Sequence, residues 1–146
     1  PLAWGRSHYD AKNHKLYIFD EYRAQKKSNQ AVYDELKEAG RIINSELLIA
    51  DSSEPKSIAD FRAYGANIRG AEKGPDSVAY SMKWLQSLRE IVIDPVRCPY
   101  HLEEFINYEL EQDKDGNYIS EFPDKNNHFI DETRYRTNLI WRKRGQ

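Results

Sequence analysis

His128 and Asp131 stand three residues apart in Asn127-His-Phe-Ile-Asp-Glu-Thr-Arg-Tyr135, just after a polar loop. On a helix, that spacing sets an imidazole and a carboxylate on one face. A second acid, Asp51, follows the apolar run Leu47-Leu48-Ile49-Ala50 and precedes Ser52-Ser53-Glu54-Pro55, so it reads as an acid at a strand end entering a turn. One acid at a strand end and one on a distant helix can meet at a metal. Two-metal phosphodiester hydrolysis needs carboxylates that hold two hard cations about 4 Å apart, one activating water and the other stabilising the leaving oxygen. Asp51 and Asp131 are the right chemical type. His128 can ligate, orient the attacking water or protonate a leaving group, because a neutral imidazole offers one donor and one acceptor.

Each of these residues has a plainer alternative. Asp followed by Ser-Ser is ordinary turn chemistry, Asp131 can simply favour the positive end of its helix, and His128 can be a surface residue at a helix start. Glu132 follows Asp131 directly and points about 100° away around the helix, which favours solvation or a salt bridge, while Glu54 stays open. Arg134 can hold a carboxylate or touch a phosphate; holding is favoured, because active-site acids need fixed rotamers. The loop Arg69-Gly-Ala-Glu-Lys-Gly-Pro75 lacks the Gly-Lys-Ser/Thr ending of a phosphate-binding P-loop, so no ATPase motor is encoded. Lys56, Arg62, Arg69, Lys73 and Lys83 can supply a local basic surface for a DNA backbone, though each singly is equally well an ordinary solvated charge.

The elements that must position these groups follow from pattern and turn chemistry. Leu2 to Tyr9 and Lys15 to Tyr22 read as a hairpin, and Ser28 caps a helix to Ala39 with Gly40 as its stop. A buried strand Glu46 to Ala50, a helix from Pro55 to Tyr64-Gly65 and a short strand Ala66 to Gly70 come next. Ser77 caps a helix with an apolar stripe of Val78, Met82, Leu85 and Leu88, before a strand at Glu90 to Asp94. Met82 and Trp84 read as core. Pro99 starts a helix carrying Leu102, Phe105, Ile106 and Leu110, followed by an Asp-Gly turn and a return strand at Tyr118 to Phe122. A final helix runs from Asn127 to Trp141, with a basic tail to Gln146. The result is a mixed α/β sheet covered by helices.

At 146 residues the chain is about one domain, and 39% apolar content with ten Tyr, five Phe and three Trp is enough for a folded core. A net charge of −2 means that any DNA contact must come from a local patch. Cys98, the single cysteine, has no neighbours suited to a zinc site and reads as packing in a reduced setting. No apolar stretch approaches the roughly 20 residues of a membrane span.

The segments Glu46-Leu-Leu-Ile-Ala-Asp-Ser-Ser-Glu-Pro-Lys-Ser-Ile58, Asn67-Ile-Arg-Gly-Ala-Glu-Lys-Gly-Pro-Asp-Ser-Val78, Ser81-Met-Lys-Trp-Leu-Gln86 and Lys125 to Tyr135 together resemble the nuclease domain of tailed-phage and prophage terminase large subunits, PBSX-like in kind. The resemblance implies an RNase H-like fold: a mixed sheet flanked by helices, with a late β-hairpin before the C-terminal helix. It implies a metal-dependent endonuclease acting on concatemeric double-stranded DNA with two Mg²⁺ or Mn²⁺ ions. Asp51 and Asp131 would be metal ligands, His128 would assist, and Lys56, Arg69, Lys73 and Lys83 would face DNA. The implied partners are DNA, a terminase small subunit and a portal, with no membrane, in the host bacterial cytoplasm.

The family pattern also has a first acid on an opening strand, ahead of an Asp-Pro-x-Ala segment whose tail resembles Pro1-Leu2-Ala3. On that alignment residues 1–146 are a single nuclease domain lacking its opening strand, as an N-terminally truncated fragment. Asp20 and Glu21 are the only early acids at a strand end that can substitute. A catalytically incomplete fragment that binds DNA or packaging proteins is therefore the competing reading, and a resolvase or transposase core is a third.

Overall fold

The computed structural model describes residues 2–108, 113–117, 122 and 124–142. β1 (Leu2–Asp10) and β2 (Lys15–Ala24) form the expected antiparallel hairpin, with a register shift between Arg6 and Ser7. α1 (Asn29–Glu38) starts at Ser28, whose side chain accepts from the Ala31 N–H at 3.1 Å, and ends beside Gly40 at φ 71°. β3 (Leu47–Ala50) leads through a turn to α2 (Pro55–Tyr64), which stops at left-handed Gly65, and β4 (Asn67–Gly70) follows. α3 (Ser77–Ser87), β5 (Glu90–Ile93) and α4 (Pro99–Asn107) precede α5 (His128–Arg136) and α6 (Asn138–Trp141).

The strands form two sheets. One has the order β1-β2-β5, with β2 and β5 parallel; the other is the parallel pair β3-β4. Among the described residues β1 and β3 are therefore edge strands, and α5 packs against both. One core joins Val32, Tyr33 and Leu36 of α1 to Ile58 and Phe61 of α2 and Ile68 of β4, with Leu2 and Trp4 of β1 and Leu48 of β3 against it. A second joins Leu16 and Ile18 to Met82, Leu85, Cys98 and Ile130, with Trp84 partly buried against it. The two sheets thus share apolar packing without sharing a hydrogen-bond ladder.

Several expectations need correction. β3 is not a buried strand, since Leu47 is exposed and the others only half-buried: as an edge it has one paired side. Val78 and Ile106 face outward, and the fully buried residue of α4 is His101. Ser77 is the first residue of α3 rather than its cap, because Asp76 turns the chain at φ 58°. The final helix is broken at Thr137: the Trp141 indole N–H donates to the Arg134 carbonyl at 2.8 Å, taking an acceptor that a continuous helix would use. Leu110, Tyr118 to Ser120 and residues 143–146 lie outside the described residues, and with them the late hairpin and most of the basic tail. No described helix is long and apolar enough to cross a membrane.

α5 is held over β1 by buried charge. Glu21 of β2 accepts from the Tyr100 and His101 backbone N–H groups and from His101 Nδ1, at 2.9, 2.9 and 2.8 Å. His101 Nε2 lies 3.2 Å from Glu132 Oε1, and Arg136 donates to Glu132 from Nε at 2.6 Å. Arg136 also reaches Ser7 of β1. β1 passes beneath this network at Gly5, where a Cβ would sit 2.6 Å from Glu132 Oε1 and 2.9 Å from Arg136 Nη2. Glu104 of α4 completes the docking by accepting from the Phe129 and Ile130 N–H groups at the α5 N-terminus, 2.7 and 3.2 Å away.

Gly5→Ala should therefore cost about 1–3 kcal/mol through overpacking, read as a lower urea midpoint. For Glu132, burial disfavours the charged form, but Arg136 and His101 outweigh it and bring the carboxyl down to about 2 from 4.5. A depressed folded-state pKa gives stability that is complete above the unfolded value and fades as pH falls toward the folded one. The stability gap between wild type and Glu132→Gln, measured by urea unfolding, is accordingly expected to be full above pH 4.5 and to close between there and about pH 2.

Candidate functional site

Asp51 is the first residue after β3, and its geometry comes from the turn it opens: Ser53 N–H donates to its Oδ1 at 2.9 Å. Lys73, on the loop between β4 and α3, donates to the same Oδ1 at 2.7 Å. Burial raises the Asp51 pKa, yet the Lys73 and Ser53 hydrogen bonds prevail and hold it below the usual carboxylate range.

Asp131 sits in the first turn of α5, and Arg134 donates to its Oδ1 from Nε and Nη2 at 3.2 and 2.8 Å. Arg134 is itself buried and fixed from behind, with Nη1 donating to Ser81 Oγ of α3 at 3.1 Å. It holds a carboxylate, as the sequence favoured. In both acids these donors converge on Oδ1, and the Ser53 side chain adds a further hydrogen bond to the Asp51 carboxylate.

Tyr135 links the two acids. Its phenol pKa is raised by burial first, then by the charge of Asp51, with Asp131 adding to it against Arg134 and Lys73. Lys73 Nζ lies 5.1 Å and Arg134 Cζ 5.2 Å from the centre of its ring. Asp51 and Asp131 thus face one small region from different elements. In the sequence Tyr135 stands only as the end of the segment that carries His128 and Asp131, with no local signal that it lies between the acids.

His128 is the first residue of α5 and exposed. Burial raises the pKa of Glu104 and prevails over the hydrogen bonds it accepts from the α5 N–H groups. Glu54 is the exposed residue before α2 and makes no side-chain cap. Arg69 and Lys83 are exposed, Lys56 pairs with Asp60 at 3.1 Å, and Arg62 is used internally, donating to the Ile68 carbonyl at 3.0 Å. The early acids are engaged elsewhere: Asp20 is tied to Arg41 at 3.1 Å, and Glu21 is buried under α4.

Among the described residues a different trio, Glu21, Cys98 and His101, has ligand atoms within 4.8 Å of one another. It does not fit a cation. Glu21 already accepts three hydrogen bonds, and burial, with nearby acids, pushes the Cys98 thiol up to about 12, so no thiolate is offered. Asp51 and Asp131, two carboxylates held in place by fixed donors, do fit hard divalent ions.

The sequence profile described as "Terminase RNAseH like domain" matches residues 1–138. The chain belongs to the terminase RNase H-like domain family. This terminase domain is 42% identical over 147 residues to the "Terminase, large subunit" of Bacillus phage SPP1, covering 99% of the chain and 34% of that protein. It is 34% identical over 112 residues to the "PBSX phage terminase large subunit" of Bacillus subtilis (strain 168), covering 77% of the chain and 25% of that protein. The terminase domain thus spans about a third and a quarter of the length of these relatives.

Its fold is similar to the crystal structure of the SPP1 large terminase nuclease domain with bound Mn, at a TM-score of 0.86 and 41% identity over 95% of the chain and 78% of that one. A large terminase from a thermophilic bacteriophage, at 21% identity and a TM-score of 0.67 over 94% of the chain and 36% of that one, shares the fold. The α/β, RNase H-like expectation holds.

Arg134→Met should release Asp131 and remove the donor to Ser81 Oγ, costing about 1–3 kcal/mol. Thermal unfolding would register the loss, and Arg134→Lys, which cannot reproduce the fork, should recover little of it.

Proposed function

We propose that this terminase domain, spanning residues 1–146 as one unit, is an endonuclease that hydrolyses phosphodiester bonds of concatemeric double-stranded DNA during viral packaging. The observation that carries this reading is the convergence of Asp51 and Asp131 beside Tyr135, each anchored by a cation that also lies near that ring. That the SPP1 nuclease domain was solved with bound Mn supports it.

Asp51 and Asp131 would hold two divalent ions, Mg²⁺ or Mn²⁺. When bound, such ions activate water and stabilise the leaving oxygen. Arg134 keeps the Asp131 rotamer fixed through Oδ1, so that Oδ2 is presented without reorganisation at the moment of reaction. His128, on the same helix and exposed, orients water or passes a proton. Lys56, Arg69, Lys73 and Lys83 lie on α2, β4, the β4–α3 loop and α3, and take up phosphate charge without reading bases. In a longer chain the domain works with a terminase small subunit and a portal in the host bacterial cytoplasm.

The split sheet bears on completeness. β1 and β3 are both edges among the described residues, with α5 across them, so one further extended segment can pair between them. Such a segment would carry the opening-strand acid of the family pattern. The same observation favours a second reading, in which residues 1–146 alone are catalytically incomplete and bind DNA or packaging proteins without cutting.

The test is cleavage of supercoiled plasmid with Mn²⁺ or Mg²⁺ by this chain, by an upstream-extended form, and by Asp51→Asn and Asp131→Asn versions of whichever cuts. Each substitution should lower cutting by on the order of a hundredfold or more. Cutting by the extended form alone supports the additional strand. Absence of cutting from both, with DNA binding retained, favours the second reading.

A further inference from the structure

Lys73 is the one basic side chain of the proposed DNA-facing group that is spent inside the site. Its ammonium is 2.7 Å from Asp51 Oδ1 and 5.1 Å from the centre of the Tyr135 ring, while its side chain remains 37% exposed. Lys56, by contrast, pairs on its own helix, and Arg69 and Lys83 are exposed.

The backbone next to Lys73 is anchored. Asn138, 1% exposed, accepts from the Glu72 N–H and donates to the Glu72 carbonyl, both at 2.9 Å, and Arg142 pairs with the Glu72 carboxylate. The Ala71 N–H donates to the Ala50 carbonyl at 2.7 Å, tying the same loop to the end of β3. The loop is thereby fixed relative to Asp51, and any rearrangement of Lys73 falls on its four-carbon stem. That stem is flexible, and the side chain is 37% exposed.

A divalent ion taken up on Asp51 Oδ2 would stand roughly 4 Å from the ammonium held on Oδ1, and two cations that close repel strongly. We propose that Lys73 is a built-in counter-cation, which neutralises Asp51 while no divalent ion is bound and is displaced from it when one arrives. The freed ammonium then lies at the rim of the site, where the next available anion is a DNA phosphate. Lys73 is in this sense a positioning residue, exchanging an internal anion for an external one. The proposal rests on the reading of Asp51 as a metal ligand.

The test is calorimetric titration of Mn²⁺ into the full chain and into Lys73→Met, Lys73→Gln, Lys73→Arg and Asp51→Asn forms, without DNA. Losing a half-exposed ion-pair partner should tighten Mn²⁺ binding by about fivefold in both Lys73→Met and Lys73→Gln. Lys73→Arg, whose fork grips a carboxylate at least as well, should bind no tighter than wild type. Combining Asp51→Asn with Lys73→Met should abolish the gain, placing it at Asp51. Binding that appears only once Lys73 is removed would support the proposal most strongly. Equal or weaker binding in Lys73→Met and Lys73→Gln overturns it and leaves the metal site standing. Absence of binding from wild type and both variants overturns the metal-site reading and this proposal together.

Discussion

A buried run of charge, from Glu21 through His101 to Glu132 and Arg136, holds α5 against the β1–β2 hairpin, and the remainder of the site depends on it. α5 lies over two sheets that share no hydrogen-bond ladder, so nothing in the strands alone fixes where β3 stands relative to β1. The helix does this from one side while the α1–α2 core does it from the other. Because Asp131 rides on α5 and Asp51 ends β3, the same docking sets the separation of the two acids. Gly5 is required in that arrangement by space, since the network occupies the place of a side chain.

The charges in the candidate site are arranged in matched pairs. Arg134 restrains Asp131 from the buried side, and Lys73 meets Asp51 from the exposed side. Both cations also lie near the Tyr135 ring, so a single aromatic residue is shared between two ion pairs. The two pairs differ in depth. Arg134 is 6% exposed and further hydrogen-bonded, whereas Lys73 is 37% exposed, so one contact serves permanence and the other permits exchange.

Local chemistry made much of this legible in the sequence. Ser28, Gly40, Pro55 and Gly65 mark their helix ends by capping and by left-handed backbone, and the hairpin follows from two strand-like runs around a polar turn. Asp51 at a strand end and Asp131 on a helix were readable because each depends only on its own segment. What escaped depends on distant residues meeting. His101 and Glu104, which no local pattern singles out, bind β2 and cap α5 across 80 and 25 residues. The partnership of Lys73 with Asp51 spans 22 residues and has no periodic signal. The division into two sheets was invisible for a similar reason: it is decided by which strands pair, and pairing is not written in any single strand.

Cys98 shows how the same burial that stabilises the core changes what an experimenter can do with the surface. Its sulfur is inaccessible, donates to the Ile18 carbonyl at 3.8 Å and stays protonated at ordinary pH. Thiol-reactive reagents need an exposed thiolate. A cysteine introduced on the exposed face of α3 or at the rim of the site would then be labelled selectively in the otherwise native sequence, so fluorescent or spin reporters can follow the domain on DNA without disturbing its interior.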